Sequence, residues 1–315
     1  MSSAVPASHV FEAEVHNFSR GSVTGHKTVG INCHRVVATP MSDKTVLITG
    51  CSSGIGRATA ETFVAEGEWV VYATARDTAD IAHLAELGCE TAQLDVTDDE
   101  DIERVIEQID GHTGRVDCLV NNAGFAQCGP LEDVSVGRLH RQFDVNVYGP
   151  HRLTRAVLPL MRLREEGTII NVSSVYGRLS MPGVGPYSAS KFAVEALSDA
   201  LRGEVDGFGI DVVLIEPGPV DTNLWNRIEH EVDGLSQSSE YEWVYETVAD
   251  SSTTFPALPL ALEPEDVAAA IHDAAVVSNP KTRYPIGPIA KFAIYGSFLP
   301  DRVHDAVFRL VRRFA

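Results

Sequence analysis

The stretch Thr49-Gly50-Cys51-Ser52-Ser53-Gly54-Ile55-Gly56 narrows the folds open to this chain more than any other. A short apolar run, Thr45-Val46-Leu47-Ile48-Thr49, leads into it. A helical pattern with Ala58, Ala60, Phe63, Val64 and Ala65 follows and stops at Gly67. Strand, glycine-rich turn and helix in that order open a dinucleotide-binding fold. Gly50, Gly54 and Gly56 let backbone amides approach a pyrophosphate and let the helix pack closely on the strand. The helix N-terminus offers unpaired N–H groups and partial positive charge to phosphates. An ordinary strand-to-helix turn shares the outline, so the rest of the chain has to decide.

The second strand, Trp69-Val70-Val71-Tyr72-Ala73-Thr74-Ala75, is followed by Arg76. An acidic residue at that strand end would accept hydrogen bonds from the adenosine ribose of NAD. Ala75 and Arg76 stand there instead, and a guanidinium suits a 2′-phosphate, so the pattern favours NADP(H), with NAD(H) the alternative. A helix over roughly 78–87 leads to a third strand, Thr91-Ala92-Gln93-Leu94, and the turn Asp95-Val96-Thr97. Asp95 is placed to accept an adenine amino group beside the Val96 backbone; Thr97 or Asp98 is placed to cap the next helix, 99–110. The fourth strand, Cys118-Leu119-Val120, runs into Asn121-Asn122-Ala123-Gly124, at the carboxyl end where ligands of such sheets gather.

A long helix over roughly 136–163 carries Asn146, which at mid-helix either orders a kink or holds a water. A buried strand, Thr168-Ile169-Ile170-Asn171-Val172-Ser173-Ser174, ends in hydroxyls. After a loop with Gly177, Pro182, Gly183 and Gly185, a helix from Tyr187 to about Asp206 opens Tyr187-Ser188-Ala189-Ser190-Lys191. This spacing puts a phenol and an ammonium on one helix face, one turn apart. Ala193, Val194, Ala196, Leu197, Ala200 and Leu201 form the stripe expected to bury against a sheet. A phenol loses its proton near pH 10, and a fixed cation beside it lowers that value. A sixth strand, Asp211–Ile215, leads to Glu216-Pro217-Gly218-Pro219-Val220-Asp221-Thr222.

Length and composition bound the partners. The chain has 315 residues, 44% of them hydrophobic, and a formal net charge of -19. That charge argues against nucleic acid. It fits either a salty cytoplasm, where an acidic surface keeps a protein hydrated, or a mildly acidic mesophilic enzyme. No apolar stretch is long enough to span a membrane. Five cysteines, Cys33, Cys51, Cys89, Cys118 and Cys128, lack paired spacing and read as reduced thiols of a cytoplasmic protein, with no metal site, Cys33-His34 and His26 included. Residues 1–40 show no periodicity and no secretory pattern, and read as a disordered extension, translated from a start upstream of Met41.

Taken together, TGCSSGIG, the Asp95 turn, NNAG, Asn146, Ser174, YSASK and PGPVDT resemble, in order, the short-chain dehydrogenase/reductase family across roughly 43–290. The resemblance implies one doubly wound (Rossmann) α/β domain over 41–315 with a parallel seven-stranded sheet and a helical C-terminal extension. It implies that Ser174 hydrogen-bonds the substrate oxygen and that Tyr187 is the general acid or base. Lys191 would bind the nicotinamide ribose and depress the Tyr187 pKa, and Asn146 would hold a proton-relay water. Around the cofactor it places Ser52, Ser53 and Ile55 beside the glycines, then Asn122, Ala123 and Gly124. Pro217 and Gly218 follow, with Val220 and Thr222 on the nicotinamide carboxamide.

Residues 223–258 read as an irregular substrate flap. Its Trp225, Tyr241, Trp243, Tyr245 and Phe255, with Met181, Pro182, Val184 and Phe125, either line an apolar pocket for an alcohol/ketone pair or simply pack the flap. The flavour is closer to steroid- and retinol-type reductases than to acyl-carrier-protein reductases. A helix at 264–278 and a last strand, Arg283–Ile286, precede an amphipathic tail, 288–315. For that tail, packing over the cleft ranks first, a homo-oligomer interface second and a membrane surface last. The competing functional classes are an NAD-linked dehydrogenase of a smaller alcohol and a cofactor-sensing binding protein.

Overall fold

A computed structural model of the chain describes residues 44–257, 261–296 and 299–311. The expected extension at 1–40, with Cys33 and His34, lies outside them, as do the side chains of Trp225, Phe255, Phe298, Val307 and Phe308.

Seven strands form one sheet: β1 (Lys44–Thr49), β2 (Trp69–Ala75), β3 (Glu90–Gln93), β4 (Cys118–Asn121), β5 (Gly167–Val172), β6 (Ile210–Pro217) and β7 (Arg283–Ile286). Their order is β3-β2-β1-β4-β5-β6-β7 and every pairing is parallel. Parallel strands need helical crossovers on both faces, so both faces are buried and the strands read as unbroken apolar runs. In β1, Val46 and Ile48 join one core with Phe63, Ile170, Val267 and Ile271; Leu47 points the other way into a second core with Tyr72, Leu153 and Ile169. The first core is closed by α1 (Gly54–Glu66) and α9 (Pro264–Val276), the second by α3 (Asp99–His112) and α5 (Gly149–Arg164). The helix α2 (Ala82–Leu87) is a short connector. Strand order reverses between β1 and β4, and a crevice opens there at the carboxyl ends of the strands.

Local chemistry sets the helix ends. Asp98 accepts from the backbone N–H of Glu100 and Asp101 and three acids occupy the first turn of α3. Pro264 opens α9, where Glu263 and Asp266 form a reciprocal cap.

Four expectations are corrected. The helix at 136–163 is two helices, α4 (Val136–Phe143) and α5, joined by one π-turn at Asp144–Tyr148 that contains Asn146. The strand β5 stops at Val172, and Ser174 instead caps a short 3₁₀ turn, its Oγ accepting from Tyr176 N at 3.2 Å. Residues 223–258 are not irregular: they hold α7 (Leu224–Asp233) and α8 (Glu242–Ala257). The helix α6 (Gly185–Glu204) buries a largely polar face, with Ser188, Ser190, Lys191, Glu195 and Ser198 beside Val194. Ala196, Leu197 and Ala200 of the predicted stripe are exposed, because this helix turns its polar side chains inward onto protein partners, Ser190 to Asn146, Ser198 to Asn171 and Glu195 to Arg283. The chain ends in α10 (Gly287–Gly296) and α11 (Asp301–Val311), and no described helix is long and apolar enough to cross a membrane.

Candidate active site

A single cavity of about 860 Å³ occupies the crevice. The residues expected from the sequence to react or to bind the cofactor all line it except Gly56 and Asn146, which brace its wall from behind.

The glycine turn forms the phosphate end. Gly50 has φ +73°, and a Cβ there would sit 2.9 Å from Ala123 Cα; one on Gly56 would lie 2.4 Å from Gly50 O. Only hydrogen fits either place, so α1 packs against the turn and its first amides face the cavity. Ser53, the residue before α1, makes no side-chain cap, which leaves those amides for a ligand. The NNAG turn supports this loop: Asn122 Nδ2 donates to Thr49 O at 2.8 Å, and the N–H groups of Asn122 and Ala123 each donate to Thr49 Oγ1 at 3.0 Å. A cradle that a methyl group would fill, with uncapped amides at its floor, fits a dinucleotide pyrophosphate.

Arg76 is exposed at the rim beyond β2 and has no hydrogen-bond or ion-pair partner among the described residues. Asp95 keeps its side chain local: Oδ1 accepts from Thr97 N at 2.9 Å and from Thr97 Oγ1 at 2.7 Å, while Asp98 caps α3. Both sequence readings of this turn are thus compatible. At the opposite end the Pro217–Thr222 segment is fixed by Gly218 N to Ile286 O at 3.1 Å and by pairing of Val220 with Leu262.

Ser174, Tyr187 and Lys191 meet between these two ends. Lys191 Nζ lies 5.7 Å from the centre of the Tyr187 ring and donates to Val172 O at 2.8 Å. Burial pushes the Tyr187 phenol up to about 12, opposed by a hydrogen bond from Ser174. Burial pushes the Lys191 ammonium down to about 8, opposed by the charge of Glu195. The expected depression of the Tyr187 pKa by Lys191 does not appear here: burial raises the phenol, and the same burial lowers the ammonium. At neutral pH the phenol carries its proton.

Asn146 does order a kink. Its Nδ2 donates to Phe125 O at 2.9 Å and to Ser190 Oγ at 3.2 Å, and its Oδ1 accepts from Phe125 N at 3.1 Å. Both amide hydrogens are taken by protein, so a relay water at this side chain would donate to the second lone pair of Oδ1.

The cavity wall beyond Tyr187 is apolar, though not through the residues expected. Phe125, Met181, Pro182 and Val184 line the cavity as anticipated. Tyr241, Trp243 and Tyr245 do not. Tyr241 OH donates to Glu132 at 2.5 Å and Tyr245 OH to Asp133 at 2.5 Å, fastening α8 to the body. Leu224, Ile228 and Val248 provide the lining instead, and Ala126, Cys128 and Val184 pack with them around Tyr187. Helical spacing within 224–248 was the missed signal. Arg138 and Arg141 clamp Glu231 of α7, at 3.2 and 2.9 Å. Among the described residues no cluster of His, Cys, Asp or Glu is arranged to hold a metal, and the four described cysteines are free thiols.

With this geometry in view, the comparisons with known proteins fall into place. Residues 44–233 match the short chain dehydrogenase family. The NADPH-dependent 3-dehydrocapnine reductase of Ornithobacterium rhinotracheale is 35% identical over 83% of this chain and 95% of its own. The 3-ketodihydrosphingosine reductase of Bacteroides thetaiotaomicron is 35% identical over 86% of this chain and 98% of its own. A short-chain dehydrogenase from Streptomyces avermitilis of known structure superposes with a TM-score of 0.72 at 37% identity, covering 87% of this chain and 98% of that one. The chain belongs to the short-chain dehydrogenase/reductase family of oxidoreductases.

Proposed function

We propose that the protein is an NADP(H)-dependent oxidoreductase of the alcohol/ketone pair, acting at a carbonyl on a large apolar body. The observation that carries this reading is the meeting of Ser174, Tyr187 and Lys191 between a phosphate cradle and an apolar wall, all in one cavity.

Gly50–Gly56 amides would hold the pyrophosphate and Arg76 the 2′-phosphate. Lys191 would bind the nicotinamide ribose, and the turn from Pro217 to Thr222 the carboxamide. When bound, the nicotinamide supplies the hydride for reduction or accepts it in the reverse direction. Ser174 and Tyr187 donate hydrogen bonds to the substrate oxygen and stabilise the charge that develops on it. Tyr187, protonated at neutral pH, gives up its proton to the alkoxide. Lys191 compensates the resulting phenolate, a role that matters once the proton has left. Asn146 keeps the Phe125 loop and α6 in register, so that Tyr187 faces the cavity.

Relatives named for a 3-dehydro and a 3-keto substrate, one of them NADPH-dependent, support both the carbonyl and the cofactor. This substrate class is broader than the steroid and retinol types. Helices α7 and α8 serve as the flap over the substrate. The exposed apolar side of α6, with Phe192 and Leu197 at 45% and 46% exposure, supports a homo-oligomer. Buried free thiols agree with a cytoplasmic setting.

The test is a series of ketones of increasing chain length, assayed with NADPH and with NADH. NADPH oxidation with kcat/KM rising along the series is expected. Turnover of small alcohols with NAD alone, or tight cofactor binding without turnover, would replace this reading with the dehydrogenase or the sensor.

A further inference from the structure

Two arginines and two glutamates are packed directly behind the reacting side chains, brought there from four separate segments. Glu195 lies on α6 one turn beyond Lys191; Glu216 is in β6 just before Pro217; Arg283 opens β7; Arg178 follows the short turn that Ser174 caps. The glutamate side chains are 7% and 1% exposed. Arg178 bonds Glu216 Oε1 at 2.8 Å, and Arg283 approaches the same oxygen at 3.3 Å. Arg283 Nη2 also reaches Glu195 Oε2 at 3.2 Å and Asp199 at 2.7 Å, and Arg178 lies 3.8 Å from Glu195.

Glu195 has a further set of neighbours. A Cβ on Gly177 would come within 2.6 Å of Ser173 Oγ, 3.0 Å of Glu195 Cγ and 3.2 Å of Glu195 Oε1. Gly177, three residues beyond Ser174, is thus wedged between Ser173 and this carboxylate, so the loop that carries Ser174 rests on Glu195 at Gly177. A buried carboxylate that only packed a core would be replaced by an apolar group at no loss. This one instead lies against Gly177 of the loop that carries Ser174 and stands on the same helix face as Lys191.

We propose that Glu195 is a positioning residue of the active site: held by Arg178 and Arg283, its carboxylate fixes the Ser174 loop against α6 and presents its charge one helical turn from Lys191. The inference rests on the reading of Ser174, Tyr187 and Lys191 as the reacting set. Beside Lys191 stand the Tyr187 phenol on its own helix and the Val172 carbonyl of β5, while Glu216 from β6, Arg178 from the loop after β5 and Arg283 from β7 gather around Glu195. Asp144 of the π-turn is paired with Arg152, and Tyr176 and Cys128 stand beyond Tyr187. Glu216 and Glu195 share both arginines, and Glu195 is the carboxylate that stands one turn from Lys191 on the same helix. On balance the Glu195 carboxyl is pushed up, by burial and by the charge of Glu216, against Ser173, Arg178 and Arg283, which hold it down.

Glu195→Gln and Glu195→Asp separate positioning from plain stability. The readouts are the pH profile of kcat with NADPH and a ketone, the NADPH dissociation constant, and the Lys191 titration followed by ¹³C NMR of labelled lysine. In Glu195→Gln the alkaline limb of kcat and the Lys191 midpoint should both move down by on the order of one pH unit. NADPH binding should stay within about threefold. Glu195→Asp keeps the charge, so its limb should stay in place while kcat falls about tenfold as the shortened side chain withdraws from Gly177. An unmoved Lys191 midpoint in folded Glu195→Gln would overturn the proposal. If Glu195→Gln does not fold, an undiminished kcat in Glu195→Asp would do the same. A Lys191 midpoint that moves in a protein reducing no ketone would count against the proposed function and leave this inference standing.

Discussion

Arg76 and the Tyr187–Lys191 pair show how far single residues carry the argument. Arg76 is exposed, unpaired among the described residues and on the rim of the cavity, so its guanidinium is free for a phosphate. Charged hydrogen bonds of this kind contribute about 1.5–3 kcal/mol each. Arg76→Glu should therefore lower the NADPH-over-NADH preference in kcat/KM by at least roughly tenfold, with kcat on saturating cofactor little changed. An unchanged ratio would place the 2′-phosphate elsewhere. The motif residues were legible because each is defined within a few positions of its neighbours: three glycines after a strand, a phenol and an ammonium one helical turn apart. The state of those groups was not legible. The expected acidic phenol becomes a buried one pushed up to about 12, because desolvation depends on what the distant chain packs around it. Glu195 was hidden for the same reason, since its partners Arg178 and Arg283 come from other segments.

Elements fared unevenly. The five inner strands follow apolar runs that the sequence marks clearly, the edge strands β3 and β7 are short and mixed, and the expected ends differ by a residue or two. The flap did not read as helical, because α8 carries Ser251, Ser252, Thr253, Thr254 and Pro256, poor helix formers in isolation. Tertiary contacts supply the missing stability: Val244, Tyr245 and Val248 are buried. Polar anchors at the base complete it, with Asp133 accepting from Ser238 Oγ at 2.5 Å and from Tyr245 OH. Those bonds hold the Asp133 carboxyl below the usual carboxylate range. A lowered pKa means that the anchoring is present above the ordinary value and is lost as pH falls through the depressed one, so the flap is anchored at neutrality. Asp133→Asn should speed amide exchange in α8 and raise KM several-fold while kcat changes less than about twofold. Equal loss of kcat and KM effects, with unaltered exchange, would contradict that role. The π-turn at Asn146 was half visible: the buried amide signalled a kink, but its bonds to Phe125 and Ser190 required the folded chain.

At the scale of the whole molecule, strand order decides where chemistry can occur. Reversal between β1 and β4 opens the crevice, and the glycine turn, the NNAG turn, Ser174 and the Pro217 turn all lie at carboxyl ends of strands beside it. Charge acts at the same scale. A net charge of -19 over 315 residues implies self-repulsion that salt screens. The midpoint of thermal unfolding should rise by at least about 5 °C between 0.1 and 2 M KCl if the acidic surface is an adaptation to salt; indifference to KCl would mark it as an ordinary acidic surface. The central claim is that a strand-end hydroxyl and the α6 phenol converge on one substrate oxygen beside the nicotinamide. The most direct measurement is ketone reduction by Tyr187→Phe alongside its NADPH affinity. Loss of proton donation should cut kcat by at least about 10²-fold with the dissociation constant of NADPH within about threefold of the parent. Reduction at the parental rate by a folded, NADPH-binding Tyr187→Phe protein would contradict the account.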